Sequence, residues 1–206
     1  MASSTSTHTQ MRLYDPSQRR LYINAAERAR FGKAAEQEPN AIGNFCLLLM
    51  LTGCRISEGL ALQAGAIQTE ARLITFRTLK RRRADSFREV PAPPELLARL
   101  QMQSSSPSRA ERSYLWHHNG QPLNRATAYR WIKRVMRGAD ISGAQACPKG
   151  LRHGYGIHAI RSRVPLNMLQ KWMGHASMST TAIYTNAIGE EEQAIAARMW
   201  TDDELS

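Results

Sequence analysis

The sequence predicts a mainly α-helical domain that carries one small antiparallel β-hairpin. Three observations lead there. Apolar residues gather in stretches of helical length, and capping residues stand at the starts of two of them, Asn24 and Asn124. The stretch Arg72 to Thr78 alternates with period two, and a charged turn separates it from a returning strand, Phe87 to Val90. Hydrophobic residues make up 42% of 206, enough for one well-filled core or a main domain with small appendages.

Residues 1–17 are polar and rich in Ser and Thr, which predicts a loose tail. Asn24 and Glu27 match a capping box, so a first helix runs from there to about Ala35, weakened slightly by Gly32. A second helix spans Ala41 to Thr52. It is apolar nearly all round, as a central core helix would be. Gly53 breaks it, and CRISEGLAL begins a new helical turn with Arg55 and Glu58 on one face. The pair is either a surface ion pair or part of a site. Leu51, Ile56, Leu60 and Leu62 frame it, and a buried arginine needs a partner or an anionic ligand.

In the hairpin, Leu73, Thr75 and Arg77 alternate against Ile74, Phe76 and Thr78. The turn LKRRRADS puts Lys80, Arg81, Arg82 and Arg83 near the tip, with Lys80 nearest the strand and so the most firmly held. Pro93 and Pro94 open a third helix, PPELLARLQMQ. A loop at 104–112 and a short aromatic segment, Tyr114 to Trp116, follow. Asn124 caps a helix from Arg125 to Arg137 whose apolar face is Ala128, Trp131, Ile132 and Val135. Its cations include Arg130, Lys133 and Arg134.

After a loop from Gly138 to Cys147, the run CPKGLRHGYGIHAI places Lys149 and Arg152 on one helix face. His153 points elsewhere and reads as a hydrogen-bonded core residue, and His158 reads as structural too. Val164-Pro165 opens the helix that Gly174 ends. Ser177 and Ser179 start a short one carrying Tyr184. Asn186 to Gly189 is a link. A last helix, Glu190 to Trp200, is acidic in its first turn. Nothing later in the sequence covers its Ala194, Ile195, Ala197 and Met199, so it folds back or docks on another subunit.

Lys and Arg total 28 against 17 acids, a formal charge of +11 that predicts a polyanionic partner, DNA or RNA. Arg81, Arg82 and Arg83 on the hairpin, and Arg130, Lys133 and Arg134 on the basic helix, are candidates to lie along phosphates. The longest apolar run, Phe45 to Leu51, is too short to span a bilayer. The N-terminus MASSTSTHTQ is not a signal peptide. Cys46, Cys54 and Cys147 have neither zinc-ligand nor disulfide-framework spacing, which fits a reducing cytoplasm. No cofactor is called for.

The chemistry centres on KWMGHASMSTTAIYTN, Lys171 to Asn186. A turn and a short helix can bring His175 and Tyr184 to one pocket, beside a helix N-terminus that favours phosphate. A tyrosine hydroxyl is a weak nucleophile and needs a base or an electropositive site. The spacing alone is common, and the cations elsewhere in the chain give it weight.

These residues carry a resemblance. Over nearly all of residues 20–200 the chain resembles the tyrosine recombinases, also called the phage integrase family. LTGCRISEGLAL looks like the block with the family's first catalytic arginine, here Arg55, and Glu58 matches a supporting acid. LKRRR followed by REVP looks like the hairpin with the catalytic lysine, here Lys80. KGLRHGYG looks like the His-x-x-Arg block, with Arg152 the second arginine and Lys149 replacing the leading histidine. WMGHASMSTTAIYT looks like the block with the late histidine, His175, and the nucleophile, Tyr184. Any one block is weak; all of them in family order are specific.

The resemblance implies the tyrosine recombinase catalytic-domain fold, cleavage of double-stranded DNA through a 3′-phosphotyrosyl link, and a homo-tetramer on paired sites with a Holliday-junction intermediate. A monomer without DNA is compatible with it. Typical members carry an N-terminal helical domain, for which some twenty residues are too few, so a catalytic domain alone is expected at 18–189, after the tail and before a C-terminal helical segment at 190–206. The rival functions are a topoisomerase-like relaxing enzyme and a DNA-binding accessory protein that does not cleave. Formation of a covalent protein–DNA adduct separates the last from the others.

Overall fold

The computed structural model describes residues 11–78, 86–104, 113–118, 121–186 and 190–199. Helix α1 is Ala25–Glu36, and its capping box is formed: the Asn24 side chain accepts from the Glu27 N–H, and the Glu27 carboxylate accepts from the Asn24 N–H, each at 2.9 Å. Helix α2, Asn40–Thr52, is the central helix. It packs against α1 and against three later helices, α4 (Pro94–Ser104), α5 (Arg125–Gly138) and α6 (Pro148–Arg161). Its near-continuous apolar sequence follows from that position, since a helix enclosed on every side has no solvent face to keep polar. Phe31, Phe45, Leu48, Trp116 and Ile132 fill the main core around it. Trp116 meets Phe45 edge to face at 5.0 Å and donates its buried indole N–H to Gly59 O at 2.7 Å.

Gly53 ends α2 in the left-handed conformation, φ 61°, its N–H bonded to Leu49 O. The chain then turns sharply into α3, Ile56–Leu60. The hairpin forms as read: β2, Leu73–Arg77, pairs antiparallel with β3, Phe87–Pro91, in the register Ile74↔Val90, Thr75↔Glu89, Phe76↔Arg88. A two-residue strand β1, Ile67–Gln68, pairs on the far side of β2. A second small hairpin joins β4, His117–His118, to β5, Gln121–Pro122. Neither β1 nor this hairpin is long enough to show a period in sequence.

The last third of the chain wraps over α6. Helix α7, Leu166–Met173, ends at Gly174, again left-handed at φ 63°. Ser177 caps α8, Met178–Ala182, which runs directly into a 3₁₀ turn, Ile183–Asn186. A second apolar cluster lies here, built from Tyr22, Tyr155, Leu169, Met173 and Tyr184.

Three expectations are corrected. Residues 11–17 are not loose: Leu13 is buried in the second cluster, and Tyr14 bridges to Arg20 around a turn that Asp15 closes. His158 is exposed rather than structural core. The last helix is shorter than read, with α9 at Glu190–Ala196 followed by a 3₁₀ turn, Ala197–Met199, and it lies against α6 of its own chain. Trp200, the tip cations Lys80 to Arg83 and most of the 104–112 loop fall outside the described residues. Among the described residues no helix is long and apolar enough to cross a membrane.

Candidate active site

The first corner of the site is built on the turn after Gly53. Arg55 is the residue before α3, and Glu58, three further on, is buried within its first turn. The Glu58 carboxylate accepts from the Arg55 N–H and from Arg55 Nη1, both at 2.8 Å. It also accepts from Arg88 of β3, whose Nη1 and Nη2 reach its two oxygens at 3.1 and 2.7 Å. Burial alone would raise the Glu58 pKa. The Arg88 hydrogen bonds and charge, with those of Arg55, more than offset it and hold the carboxyl below its ordinary value.

The second corner comes from α6 and the end of α7. Arg152 is buried, and its Nη1 and Nη2 donate to Gly53 O at 2.6 Å and Met173 O at 2.7 Å. It thereby ties the break after α2 to the C-terminus of α7. Burial, and then the nearby Arg55, lower its pKa to about 10, so it stays charged at neutral pH. Lys149 lies one helical turn earlier and is exposed.

Tyr184 sits in the 3₁₀ turn with its side chain fully enclosed, at 0% exposure. Gly156 makes the space, because a Cβ there would stand 2.6 Å from Tyr184 Cε1 and Cζ. The His175 ring stacks on the tyrosine, centroids 6.2 Å apart and planes at 19°, and its Nδ1 is 2.9 Å from Thr181 Oγ1. His153, also fully buried, brings Nδ1 to 3.3 Å from the Tyr184 hydroxyl. The Nε2 atoms of both histidines are buried without a hydrogen-bond partner.

Burial pushes the tyrosine hydroxyl up to about 12, against the pull of Arg152 and Arg55. Burial, with Arg152 and Arg55, brings His175 down to about 3, and burial with Lys149 and Arg152 does the same to His153. At neutral pH the pocket therefore holds a protonated phenol, two neutral imidazoles and charged guanidiniums. Arg55 and Arg152 each act electrostatically on both His175 and Tyr184, whose rings are stacked, although the four residues come from separate segments. A neutral imidazole beside a phenol, with fixed guanidiniums near it, is equipped to bind a phosphoryl group and activate a hydroxyl against it.

A profile of the phage integrase family matches residues 22–191. The chain belongs to the phage integrase family. It is similar to tyrosine recombinase XerC of Brucella suis, 31% identical over 157 residues, a match covering 75% of this chain and 49% of that protein. The chain spans about half the length of that curated relative. Among solved structures, XerA recombinase superposes with TM-score 0.75 at 23% identity over 87% of this chain and 65% of that one. XerH recombinase bound to its difH substrate superposes with TM-score 0.70 at 19% identity over 91% and 60%. These two establish the fold, which is the mainly helical catalytic-domain architecture with a small antiparallel sheet.

Within this phage integrase fold, Arg55, Glu58, Arg152, His175 and Tyr184 are brought together, and Lys149 stands at the rim. Lys80, Arg81, Arg82 and Arg83 lie outside the described residues. The basic face of α5 is more engaged than a bare phosphate-binding surface: Arg134 pairs with Glu38 at 2.9 Å, Lys133 donates to Ala146 O, and Arg130 donates to Thr127 Oγ1.

Two residues at the pocket were not read as such from the sequence. His153 is a buried, hydrogen-bonded residue as expected, but its partner is the Tyr184 hydroxyl. Arg88 has no assignment from the sequence alone, although a signal is present. In a strand that alternates, Arg88 shares the inward face with Val90, and a charge on an inward register needs a partner.

Proposed function

We propose that this chain is the catalytic domain of a site-specific recombinase that cleaves and rejoins double-stranded DNA through a covalent 3′-phosphotyrosyl link. The convergence of Arg55, Arg152, His175 and Tyr184 in one buried pocket carries the reading. Family membership, the complex of the similarly folded Tn1549 transposon integrase with transposon right end DNA, and a formal charge of +11 support DNA as the substrate. The reaction runs in the cytoplasm and without a cofactor.

In this reading Tyr184 Oη attacks the scissile phosphorus in line. The Oη–P bond forms, the P–O5′ bond breaks, and Lys80 gives the departing 5′ oxygen its proton. The phenolic proton passes to His175, or else to His153, whose Nδ1 stands 3.3 Å from the hydroxyl, with His175 then hydrogen-bonding the phosphate. Arg55 and Arg152 hold the non-bridging oxygens, where charge gathers in the transition state. The phosphotyrosyl ester retains the bond energy, so a 5′ hydroxyl can reverse the sequence and seal the strand. Because the resting hydroxyl is enclosed and protonated, attack requires the 3₁₀ turn to carry it out toward the phosphate.

The test is a suicide duplex taken from paired inverted motifs flanking the gene, nicked so that the released fragment diffuses away. An adduct that survives denaturing electrophoresis, with the DNA mapped to the Tyr184 peptide, is the expected result. Specific binding without adduct would favour the accessory-protein reading, and plasmid relaxation without strand exchange the topoisomerase-like one.

Lys149 belongs to the site only as a cation, since an ammonium lacks the acid–base range of an imidazole at neutral pH. Lys149→Ala is expected to slow adduct formation roughly fivefold, the scale of one solvated charge contact. Lys149→His should retain more activity than Lys149→Ala. Equal rates for wild type and Lys149→Ala would remove the residue from the site.

The protein is further proposed to act as a homo-tetramer on paired sites, with the α9 segment passing to a neighbouring protomer. Its link to Tyr184 is short, so docking in trans would restrain the nucleophile and couple assembly to cleavage. Truncation after Gly189 should leave folding and single-site binding intact, abolish the paired-site complex, and collapse recombination. A large fall in thermal stability together with normal assembly would instead make α9 a permanent part of its own domain.

A further inference from the structure

Arg88 reaches the pocket from the hairpin, opposite Phe76 in the pairing register, and its guanidinium lies 5.2 Å from the centroid of that ring. It is buried, and it touches two other segments. Nη1 and Nη2 grip the two Glu58 oxygens. Nε donates to Trp172 O at 2.7 Å, in the last turn of α7. The next carbonyl along, Met173 O, is held by Arg152 Nη2. The C-terminus of α7 thus ends on two guanidiniums, where its dipole favours cations. Gly174 lets the chain pass close: a Cβ there would come to 3.0 Å from Arg88 Cδ and 3.2 Å from its Nε. His175 follows immediately.

A cation needed only to neutralise buried Glu58 would require the Glu58 contact and nothing more. Arg88 also grips α7, and its carboxylate partner is bonded to both the backbone and the side chain of Arg55. We infer that Arg88 is a positioning residue for strand cleavage, which sets the spacing between Arg55 and His175 by holding Glu58 at one end of its guanidinium and the carbonyl before the His175 turn at the other. The inference rests on the recombinase reading of this pocket. Arg88 also anchors β3, the strand that follows Lys80 in the sequence. A buried ion pair adds little net stability once desolvation is counted, whereas reacting groups misplaced by about 1 Å lose on the order of 100-fold in rate.

The experiment compares wild type, Arg88→Lys and the double substitution Arg88→Met with Glu58→Gln in the full chain. It measures single-turnover cleavage of the suicide duplex, DNA affinity and thermal midpoint. Lysine keeps the charge but cannot grip a carboxylate with two donors and a carbonyl with a third. Arg88→Lys is therefore expected to bind DNA within about threefold of wild type while cleaving on the order of 100-fold more slowly. The double variant removes both charges and keeps an amide oxygen for Arg55. It should recover the thermal midpoint and leave cleavage slow. Recovery of cleavage along with stability would reduce Arg88 to a neutralising charge and overturn the inference, as would wild-type cleavage by Arg88→Lys. Absence of adduct from wild type would overturn the recombinase reading itself, a result distinct from either.

Discussion

Tyr184→Phe is expected to abolish the covalent protein–DNA adduct while DNA affinity stays near that of wild type. The change removes one oxygen from a side chain that is fully enclosed. That oxygen's partner in the structure is His153 Nδ1 at 3.3 Å, which the change leaves buried and unpaired, so the cost to folding is about 1–3 kcal/mol. The ring keeps its seat against Gly156 and its stack with His175. The arginines that would meet the phosphate do not depend on the hydroxyl. Binding and cleavage should therefore separate cleanly in gel-shift and denaturing-gel assays run on the same preparation. An adduct of undiminished yield would move the nucleophile to another residue.

The second large effect is expected at Arg152. Its guanidinium spans Gly53 O and Met173 O, and it is the cation nearest the centre of the electrostatic network, acting on His175, Tyr184 and His153 alike. Arg152→Lys keeps a charge but not the fork. One buried carbonyl then loses its donor, at about 1–3 kcal/mol of stability, and the phosphate loses a bidentate partner. Cleavage should fall by about 10²–10³-fold, the cost of removing one donor aimed at developing charge, with a much smaller change in DNA affinity. Wild-type cleavage rates in a variant with the expected loss of stability would confine Arg152 to a structural role.

Much of this architecture was legible in the sequence because the local signals agreed with the tertiary result. The Asn24–Glu27 capping box, the left-handed stops at Gly53 and Gly174, and the inward alternation of Ile74 and Phe76 are each written in a few adjacent residues. The pocket was legible in part for a different reason. Arg55, Glu58, Arg152, His175 and Tyr184 fall in separate blocks whose order is a family pattern, although no spacing rule predicts that they meet. What escaped was set by long-range packing. His153 adjoins Arg152 in sequence, yet its role depends on a ring thirty-one residues away. Arg88 depends on partners at Glu58 and Trp172. Leu13 reads as tail because the stretch before Met11 is polar, and only the cluster around α6 gives it a place.

The ion pairing of Glu58 fixes the charge balance of the cavity. Arg55, Arg88 and Arg152 bring three positive charges, Glu58 returns one negative, and the two imidazoles contribute none at neutral pH. The enclosed, described part of the pocket is left with an excess of two, and Lys149 at the rim adds a further positive charge. In the recombinase reading a phosphodiester supplies one negative charge and a pentacoordinate phosphorane two, so the later state answers the positive excess more fully than the bound strand does. On the proposed reading the cavity favours the point where the bonds exchange over the bound strand, which is the condition for accelerating the exchange instead of trapping the DNA. With DNA as the proposed ligand, mobile anions from solution answer that excess beforehand, and their release is expected to give the first part of binding its dependence on salt.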